Sequence, residues 1–267
     1  METSATYQGL RSARSRTAPL ALDETGAVEV TYEEHDHAPA FLILHGGGGP
    51  GTVSDFAAMF AARKRVRVLA PTHPGFADTS RPEALASVKG LARLYLDLLE
   101  RLELSDVTVI GNSIGGWIAA EMALLNNGRV SGIILIDAVG VIVPGHPIAD
   151  VSKLTPAQLA ALSFHRPEWR SAPPEGAPRP APNLAALAAY AGREMADPTL
   201  LSRLGELDLP THVIWGESDR IVEPDYGRAI ASAIHGSKFT LLQGAGHFPQ
   251  LEAPEQLLGA IWDLGAR

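Results

Sequence analysis

A serine between two glycines, at the junction of an apolar run and an amphipathic run, constrains this chain most. The stretch Gly-Asn-Ser-Ile-Gly predicts a strand over residues 107–110 and a helix over about 114–126. A sharp turn between them imposes a strained backbone on Ser113 and lifts its hydroxyl clear of the sheet. Gly111 and Gly115 suit such a turn because side chains there would collide with the packed strand and helix. A serine that only caps the helix is the alternative.

Strand-like and helix-like patterns alternate along the chain. After a hairpin around residues 23–26, the predicted strands are residues 41–44, 66–70, 107–110, 132–136, 211–215 and 238–242. The predicted helices between and after them are residues 56–62, 85–102, 114–126, 226–234 and 255–264. This alternation predicts an α/β protein with a doubly wound, mostly parallel sheet.

The alternation is interrupted after residue 143. Helical patterns at residues 155–164 and 183–195 flank a proline-rich stretch at 167–182. The chain therefore divides into a flexible N-terminal tail over residues 1–17, an α/β core over residues 18–143 and 210–267, and a helical lid inserted over residues 144–209. A disordered linker is the alternative to a lid, and we expect it only for residues 172–182.

Composition narrows the classes of partner. The 267 residues suffice for one large domain, and a net charge of −8 offers no attraction to nucleic acid or an anionic membrane. Cysteine is absent, which excludes disulfides, thiolate metal sites and cysteine nucleophiles. No stretch approaches the ~20 apolar residues of a membrane helix. We expect a soluble, cytoplasmic protein with a small-molecule substrate, no nucleic-acid partner and no membrane partner, and a homodimer stays open.

Two further side chains follow predicted strands. A serine hydroxyl needs an imidazole to remove its proton, and the imidazole needs a carboxylate to fix its tautomer. Asp219 follows the predicted strand 211–215, and His247 follows the predicted strand 238–242. Because parallel strands end at one edge of the sheet, these side chains and Ser113 are expected to meet there. The sequence predicts a catalytic Ser-His-Asp triad.

Other residues compete for these roles. Asp137 also ends a predicted strand, and Glu217 is close to Asp219, so either could be the acid that orients the histidine. His35 and His37 could be mistaken for a metal pair, but further ligands at a suitable spacing are missing from the sequence. We therefore predict no metal site and prefer Asp219 as the acid.

The chemistry also needs N–H donors for the oxyanion that forms during attack on a carbonyl. The amide of Ile114, at the start of the predicted helix, is one expected donor. Gly47 is the expected second donor, with Gly48 as the alternative, in the loop His-Gly-Gly-Gly-Gly-Pro-Gly after the strand at 41–44. A phosphate-binding loop is disfavoured because its Gly-Lys-Ser/Thr ending is absent.

Taken together, four motifs resemble the α/β-hydrolase superfamily. They are His-Gly-Gly-Gly at 45–48, Gly-Asn-Ser-Ile-Gly-Gly at 111–116, Gly-Glu-Ser-Asp-Arg-Ile-Val at 216–222 and Gly-Ala-Gly-His-Phe-Pro-Gln-Leu-Glu-Ala-Pro-Glu at 244–255. A loop at 72–80 is similar to the superfamily's Asp-x-x-Gly-x-Gly-x-Ser loop, from which it departs at Thr72 and Ala77. The resemblance implies a serine-nucleophile hydrolase that needs no cofactor or metal. The dehalogenase and epoxide hydrolase branches carry aspartate where this chain has Ser113.

The expected reaction is hydrolysis of a small-to-medium hydrophobic carboxylic ester through an acyl-enzyme. Asn112 and the run Gly49-Pro50-Gly51 also resemble carbon–carbon bond hydrolases that split vinylogous diketones from aromatic ring cleavage, although those relatives usually carry tryptophan where this chain has Phe248. A non-catalytic ligand receptor on the same fold is a further alternative. The apolar candidates for the substrate pocket, each equally able to be core, are Phe164, Trp169, Tyr190, Val222 and Phe248.

Overall fold

A computed structural model of the chain describes residues 14–22, 26–35, 39–125, 128–151, 153–169 and 184–265. Its strands, numbered along the chain, are β1 (Arg14–Leu22), β2 (Gly26–His35), β3 (Ala40–Leu44), β4 (Arg67–Pro71), β5 (Val107–Asn112), β6 (Val130–Ile136), β7 (Thr211–Gly216) and β8 (Lys238–Leu242). Within the described ranges these eight strands form one sheet in the order β1-β2-β4-β3-β5-β6-β7-β8. The pairs β1–β2 and β2–β4 are antiparallel, and the others are parallel. The predicted α/β class with a mostly parallel sheet is confirmed.

The helices that the structure describes cover both faces of the sheet. They are α1 (Ser54–Lys64), α2 (Val88–Arg101), α3 (Ile114–Leu124), α4 (Pro156–Ser163), α5 (Leu184–Ala191), α6 (Leu200–Arg203), α7 (Pro224–Ala233), α8 (Pro249–Glu252) and α9 (Pro254–Gly265). Buried residues of α2, α3 and α7 form one core with Leu42 and Leu44, whereas those of α1 and α9 form another with Phe41 and Ile43. Neighbouring residues of β3 thus enter opposite cores, which is why its sequence is apolar throughout. None of the described helices combines the length and apolar character needed to cross a bilayer.

The first strand begins earlier than predicted. We predicted a flexible tail over residues 1–17, but residues 14–17 form the start of β1, paired with residues 31–34 of β2. One of the charged side chains that suggest a tail has a partner here, since Arg16 Nε lies 2.6 Å from Glu34 Oε2, and Arg67 contacts the same carboxylate. Residues 1–13 belong to the part of the chain that is not described.

The inserted segment, residues 144–209, lies between β6 and β7 and contains α4, a 3-10 helix (Pro167–Trp169), α5 and α6. Thr155 begins α4 with a capping box, because its hydroxyl accepts the Gln158 amide while the Gln158 side chain accepts the Thr155 amide. The predicted helix over 183–195 is shorter in the structure and ends at Ala191. Arg203 binds the segment to α3, since its guanidinium donates to buried Glu121 over 2.9 Å. The predicted disordered linker at 172–182 lies outside the described residues.

Candidate functional site

Ser113 occupies the turn between β5 and α3 in a strained conformation. Its φ of 58° and ψ of −120° place a non-glycine residue in the left-handed half of backbone space. A Cβ atom at Gly111 would overlap the carbonyl oxygen of Gly115, and one at Gly115 would overlap that of Leu44. Only glycine allows strand and helix to approach this closely on either side of the serine. The predicted sharp turn is therefore present, and Ser113 is 7% exposed.

The structure brings Asp219 and His247 together at the ends of β7 and β8. His247 Nδ1 donates to Asp219 Oδ2 over 2.7 Å, and both side chains are buried. The other carboxylate oxygen of Asp219 accepts the amides of Ile221 at 2.8 Å and Val222 at 3.1 Å. Three N–H donors thus converge on one carboxylate and fix its orientation. With Nδ1 protonated, Nε2 of a neutral His247 is free to accept a proton.

The loop that carries His247 is attached to the serine turn through Asn112. The Asn112 side chain donates to the carbonyl oxygen of His247 over 3.0 Å and to that of Ile136 over 3.3 Å. Its own oxygen accepts the Gln250 side-chain amide over 3.2 Å. Because Asn112 immediately precedes Ser113, these bonds hold the histidine loop at a defined distance from the serine. The motif around Asn112 indicates a family resemblance but does not predict this positioning contact.

Asp137, the rival acid, lies beside the pair. Oxygen or ring-nitrogen atoms of Asp137, Asp219 and His247 all lie within 4.8 Å of one another. Asp137 Oδ1 accepts the Gly216 amide over 2.8 Å, while Oδ2 has no hydrogen-bond partner among the described residues. Burial raises the pKa of Asp137 well above its usual value, and the nearby Asp219 carboxylate raises it further. Glu217, the third acid considered, is exposed and accepts the Gly244 amide over 3.3 Å.

Among the described residues, these three side chains are also spaced closely enough to hold a metal ion. The donor chemistry is unfavourable, because Asp219 already accepts N–H groups at both oxygens and His247 Nδ1 is one of those donors. A metal would have to displace these bonds. His35, the other histidine considered as a ligand, is half-buried at the end of β2, and His37 falls in a range that is not described.

The predicted oxyanion donors belong to two segments, the glycine loop after β3 and the first turn of α3. The Gly49 amide donates to the Gly46 carbonyl over 3.1 Å and closes a turn. Gly47 and Gly48 are the central residues of this turn, and their amides take no part in that hydrogen bond. Ile114 is the first residue of α3, where amides lack partners within the helix. A Cβ at neighbouring Gly46 would lie 3.0 Å from Ser113 Cβ, so this loop packs directly on the serine.

A pair of buried histidines holds the base of that loop. His45 donates from Nδ1 to the Gly46 carbonyl over 2.7 Å and accepts the His73 amide at Nε2 over 3.0 Å. His73 donates from Nε2 to the His45 carbonyl over 2.9 Å and lies 2.6 Å from the Tyr95 hydroxyl at Nδ1. Burial lowers the pKa of His45 to about 4 and that of His73 well below its usual value. Both rings are therefore neutral, and each uses both nitrogens structurally.

The predicted pocket residues fall into different places. Phe164 and Phe248 face each other with ring centroids 5.4 Å apart, and the Phe248 ring also lies 5.2 Å from His247. Tyr190 is buried with its hydroxyl donating to the Pro74 carbonyl over 2.8 Å, and Val222 is buried in the core next to Asp219. Trp169 ends a 3-10 helix, and its side chain is outside the described part.

Leu187 of α5 makes a contact with the glycine loop that the sequence does not predict. Its Cδ2 atom lies 3.1 Å from where a Cβ of Gly47 would be, so it covers the loop of the expected oxyanion donors. Glu252 is also missed, although its carboxylate accepts the amides of Gly246 at 2.7 Å, His165 at 3.1 Å and Arg166 at 3.1 Å. Leu187 carries no local sequence signal, because its contact joins distant segments. Glu252 lies in the motif around His247, but that motif does not indicate its bonds to the distant amides of His165 and Arg166.

Comparison with known proteins gives a consistent family. A family model described as the alpha/beta hydrolase family matches residues 41–260. A 2-hydroxy-6-oxononadienedioate/2-hydroxy-6-oxononatrienedioate hydrolase from Paraburkholderia xenovorans is 25% identical over 277 residues, covering 89% of this chain and 91% of that protein. Epoxide hydrolase EphH from Mycobacterium tuberculosis is 28% identical over 177 residues, covering 57% of this chain and 83% of its own. A thermophilic esterase from Thermogutta terrifontis shares the fold, with a TM-score of 0.76, 24% identity and coverage of 93% and 97%.

Proposed function

The chain belongs to the alpha/beta hydrolase family, and we propose that it is a serine hydrolase that cleaves a small-to-medium hydrophobic carboxylic ester. The observation that carries the proposal is the 2.7 Å hydrogen bond from His247 Nδ1 to Asp219 Oδ2, in a loop that Asn112 attaches to the strained Ser113 turn. This arrangement supplies a nucleophile, a base and an orienting carboxylate. Ser113, His247 and Asp219 are the proposed catalytic residues.

In the proposed mechanism, Asp219 holds the proton of His247 on Nδ1, which leaves Nε2 to accept the Ser113 proton. The Ser113 oxygen attacks the ester carbonyl, and the amides of Ile114 and Gly47 stabilise the oxyanion, with Gly48 as the alternative donor. His247 returns the proton to the leaving alcohol, and an acyl-enzyme remains. Water, activated by His247 in the same way, then releases the acid.

The surroundings of the loop support an apolar acyl group. Leu187 covers Gly47, and the Phe248 ring lies 3.4 Å from a Cβ position at Gly48. Phe164 packs against Phe248. An ester with a hydrophobic acyl chain would gain contact with these side chains, and selectivity between chains that differ by one methylene would be modest.

Carbon–carbon bond cleavage of a vinylogous diketone is the second candidate, favoured by one specific observation. The relative from Paraburkholderia xenovorans, which aligns over most of both chains, is named for hydrolysis of such a ring-cleavage product. The same serine, histidine and acid could serve that reaction. Phe248 replaces the tryptophan usual in those relatives, and for this reason we place ester hydrolysis first.

The test compares wild type with Ser113→Ala, using p-nitrophenyl butyrate, a coloured ring-cleavage dienoate, and a phosphonate probe read by intact mass. Ser232→Ala, an exposed serine on α7, is the matched control. We expect ester turnover and labelling in wild type and control, and neither in Ser113→Ala. Labelling with turnover of the dienoate alone would replace the first candidate by the second. A single acylation without turnover would favour a ligand receptor, and no labelling would contradict an activated serine.

A further inference from the structure

Two buried carboxyl groups face one histidine at the ends of β6 and β7. Asp137 and Asp219 are 0% and 2% exposed, and one carboxylate oxygen of each lies within 4.8 Å of the other and of a ring nitrogen of His247. At such a separation, ionisation of two buried carboxyl groups at once is unfavourable, because repulsion and desolvation both favour a proton on one of them. This arrangement favours a proton on one of the two acids.

Hydrogen bonding decides which acid carries the proton. Asp219 receives N–H donors at both oxygens, namely the amides of Ile221 and Val222 and the His247 ring. Asp137 receives one donor, the Gly216 amide at Oδ1, and its Oδ2 has no partner within the described residues. An unpartnered buried oxygen beside a carboxylate is satisfied when it becomes a hydroxyl that donates to that carboxylate. The other nearby acid, Glu252, adds a further negative charge against ionisation of Asp137.

We infer that Asp137 is a neutral positioning residue of the triad, whose Oδ2–H donates to the Asp219 carboxylate and which becomes the partner of His247 when that carboxylate is removed. The inference rests on the proposed function for its kinetic consequences. Burial and the Asp219 charge, which raise the pKa of Asp137, agree with it. Asp137 also has a φ of 45°, so the chain holds a strained backbone at the residue that places this carboxyl group.

The first experiment observes the proton directly. We expect the infrared spectrum of wild type at neutral pH to contain the C=O stretching band of a protonated carboxyl group, shifted in heavy water. The band should be absent from Asp137→Asn and unchanged in Asp225→Asn, an exposed aspartate on α7. A wild-type spectrum without a band that depends on Asp137 would overturn the inference. This readout needs no turnover. If the Asp137-dependent band is present but the protein hydrolyses no ester, the proposed function is contradicted and the inference about Asp137 is not.

The second experiment compares Asp137→Asn with Asp137→Leu. Asparagine can accept the Gly216 amide and donate to Asp219 as the neutral acid does, whereas leucine can do neither. We expect kcat within about threefold of wild type for asparagine and a loss of more than about tenfold for leucine, with KM little changed. Equal losses in the two variants would indicate a purely structural or a charged role and would contradict the inference.

The third experiment is a double-mutant cycle. Asp219→Ala removes the acid that His247 contacts and leaves Asp137 as the nearest carboxyl group, free to ionise by releasing its proton to solvent and to accept His247 Nδ1–H. We expect Asp137→Asn to cost more than about tenfold in kcat in the Asp219→Ala background, against about threefold or less in wild type. The same cost in both backgrounds would mean that Asp137 does not take over.

Discussion

The backbone amide of His247 donates to the carbonyl oxygen of Ser163 over 2.7 Å, so a residue at the end of α4 holds the loop that carries the histidine. The neighbouring carbonyl of Leu162 accepts the amide of Arg220, next to Asp219, over 3.0 Å. Both loops of the proposed triad are therefore hydrogen-bonded to one short stretch of the inserted segment. These hydrogen bonds attach this stretch to the loops of the site. It therefore helps to hold the site together, unlike a lid that moves freely over a pocket.

Glu252 strengthens that support, and its removal should weaken catalysis without touching the triad. In Glu252→Gln one of two acceptor oxygens becomes a donor facing the amides of Gly246, His165 or Arg166. We expect kcat to fall about tenfold and the free energy of unfolding to fall by about 1–3 kcal/mol. Steady-state kinetics and urea denaturation measure both. Glu255→Gln, an exposed acid on α9, is the control, and an unchanged kcat in Glu252→Gln would refute this role.

The contact between Leu187 and Gly47 predicts a pair of compensating substitutions. The methyl group of Gly47→Ala would lie 3.1 Å from Leu187 Cδ2 and push α5 or the oxyanion loop out of place. We expect kcat/KM for a butyrate ester to fall by about tenfold or more, as for loss of one oxyanion donor. Leu187→Ala in the same chain should restore part of it by making room. If the double variant is no better than Gly47→Ala, the loop fails for a reason other than this contact.

His45 and His73 predict a loss of stability in acid. Both are neutral when folded, and burial lowers the pKa of His45 to about 4 and that of His73 well below its usual value. Unfolding exposes them, and an exposed histidine binds a proton below about pH 6.5. Stability is therefore full above about pH 6.5 and falls as the pH is lowered toward about 4, by up to about 1.4 kcal/mol per pH unit for each histidine.

The measurement is urea denaturation between neutral and mildly acidic pH. His73→Asn should be less stable than wild type at neutral pH, because it loses the bonds to the His45 carbonyl and to Tyr95, but its stability should fall less steeply in acid. His235→Asn, an exposed histidine, is the control and should keep the wild-type slope. A wild-type slope in His73→Asn would show that His73 does not titrate on unfolding.

For Asp137 we expect stability to depend on pH in the opposite direction. Its pKa is raised in the folded protein, first by burial and then by the charges of Asp219 and Glu252, while the Gly216 amide opposes the shift. The folded state thus keeps a proton that the unfolded state loses above about pH 4, and this group's contribution to stability decreases as the pH rises. Asp137→Asn removes the difference.

We therefore expect the stability of Asp137→Asn relative to wild type to increase by about 1.4 kcal/mol per pH unit above about pH 4, up to the pKa of folded Asp137. Urea denaturation at several pH values, with Asp225→Asn as the control, measures this slope. A difference between Asp137→Asn and wild type that is independent of pH would mean that Asp137 is ionised in the folded protein.

Local sequence patterns predict most of the elements and the functional residues at their ends. The run at 107–112 followed by glycines around Ser113 predicts the strand, the sharp turn and the helix, because backbone sterics act over a few residues. The same holds for Asp219 and His247 after β7 and β8. The sequence does not predict the start of β1 for the converse reason: Arg14 and Arg16 are typical of an exposed tail, and only pairing with β2 gives Arg16 the partner Glu34.

Only the tertiary structure determines the contacts between segments that are distant in the sequence. The order of β5, β6 and β7 in the sheet places Asp137 beside Asp219. Asp219 is the acid that contacts His247, and two backbone amides hold its other oxygen. The covering of Gly47 by Leu187 depends likewise on how the inserted segment packs. A sequence pattern specifies period and turn chemistry, but the charge state of a carboxyl group depends on desolvation and on neighbours that only folding brings within reach.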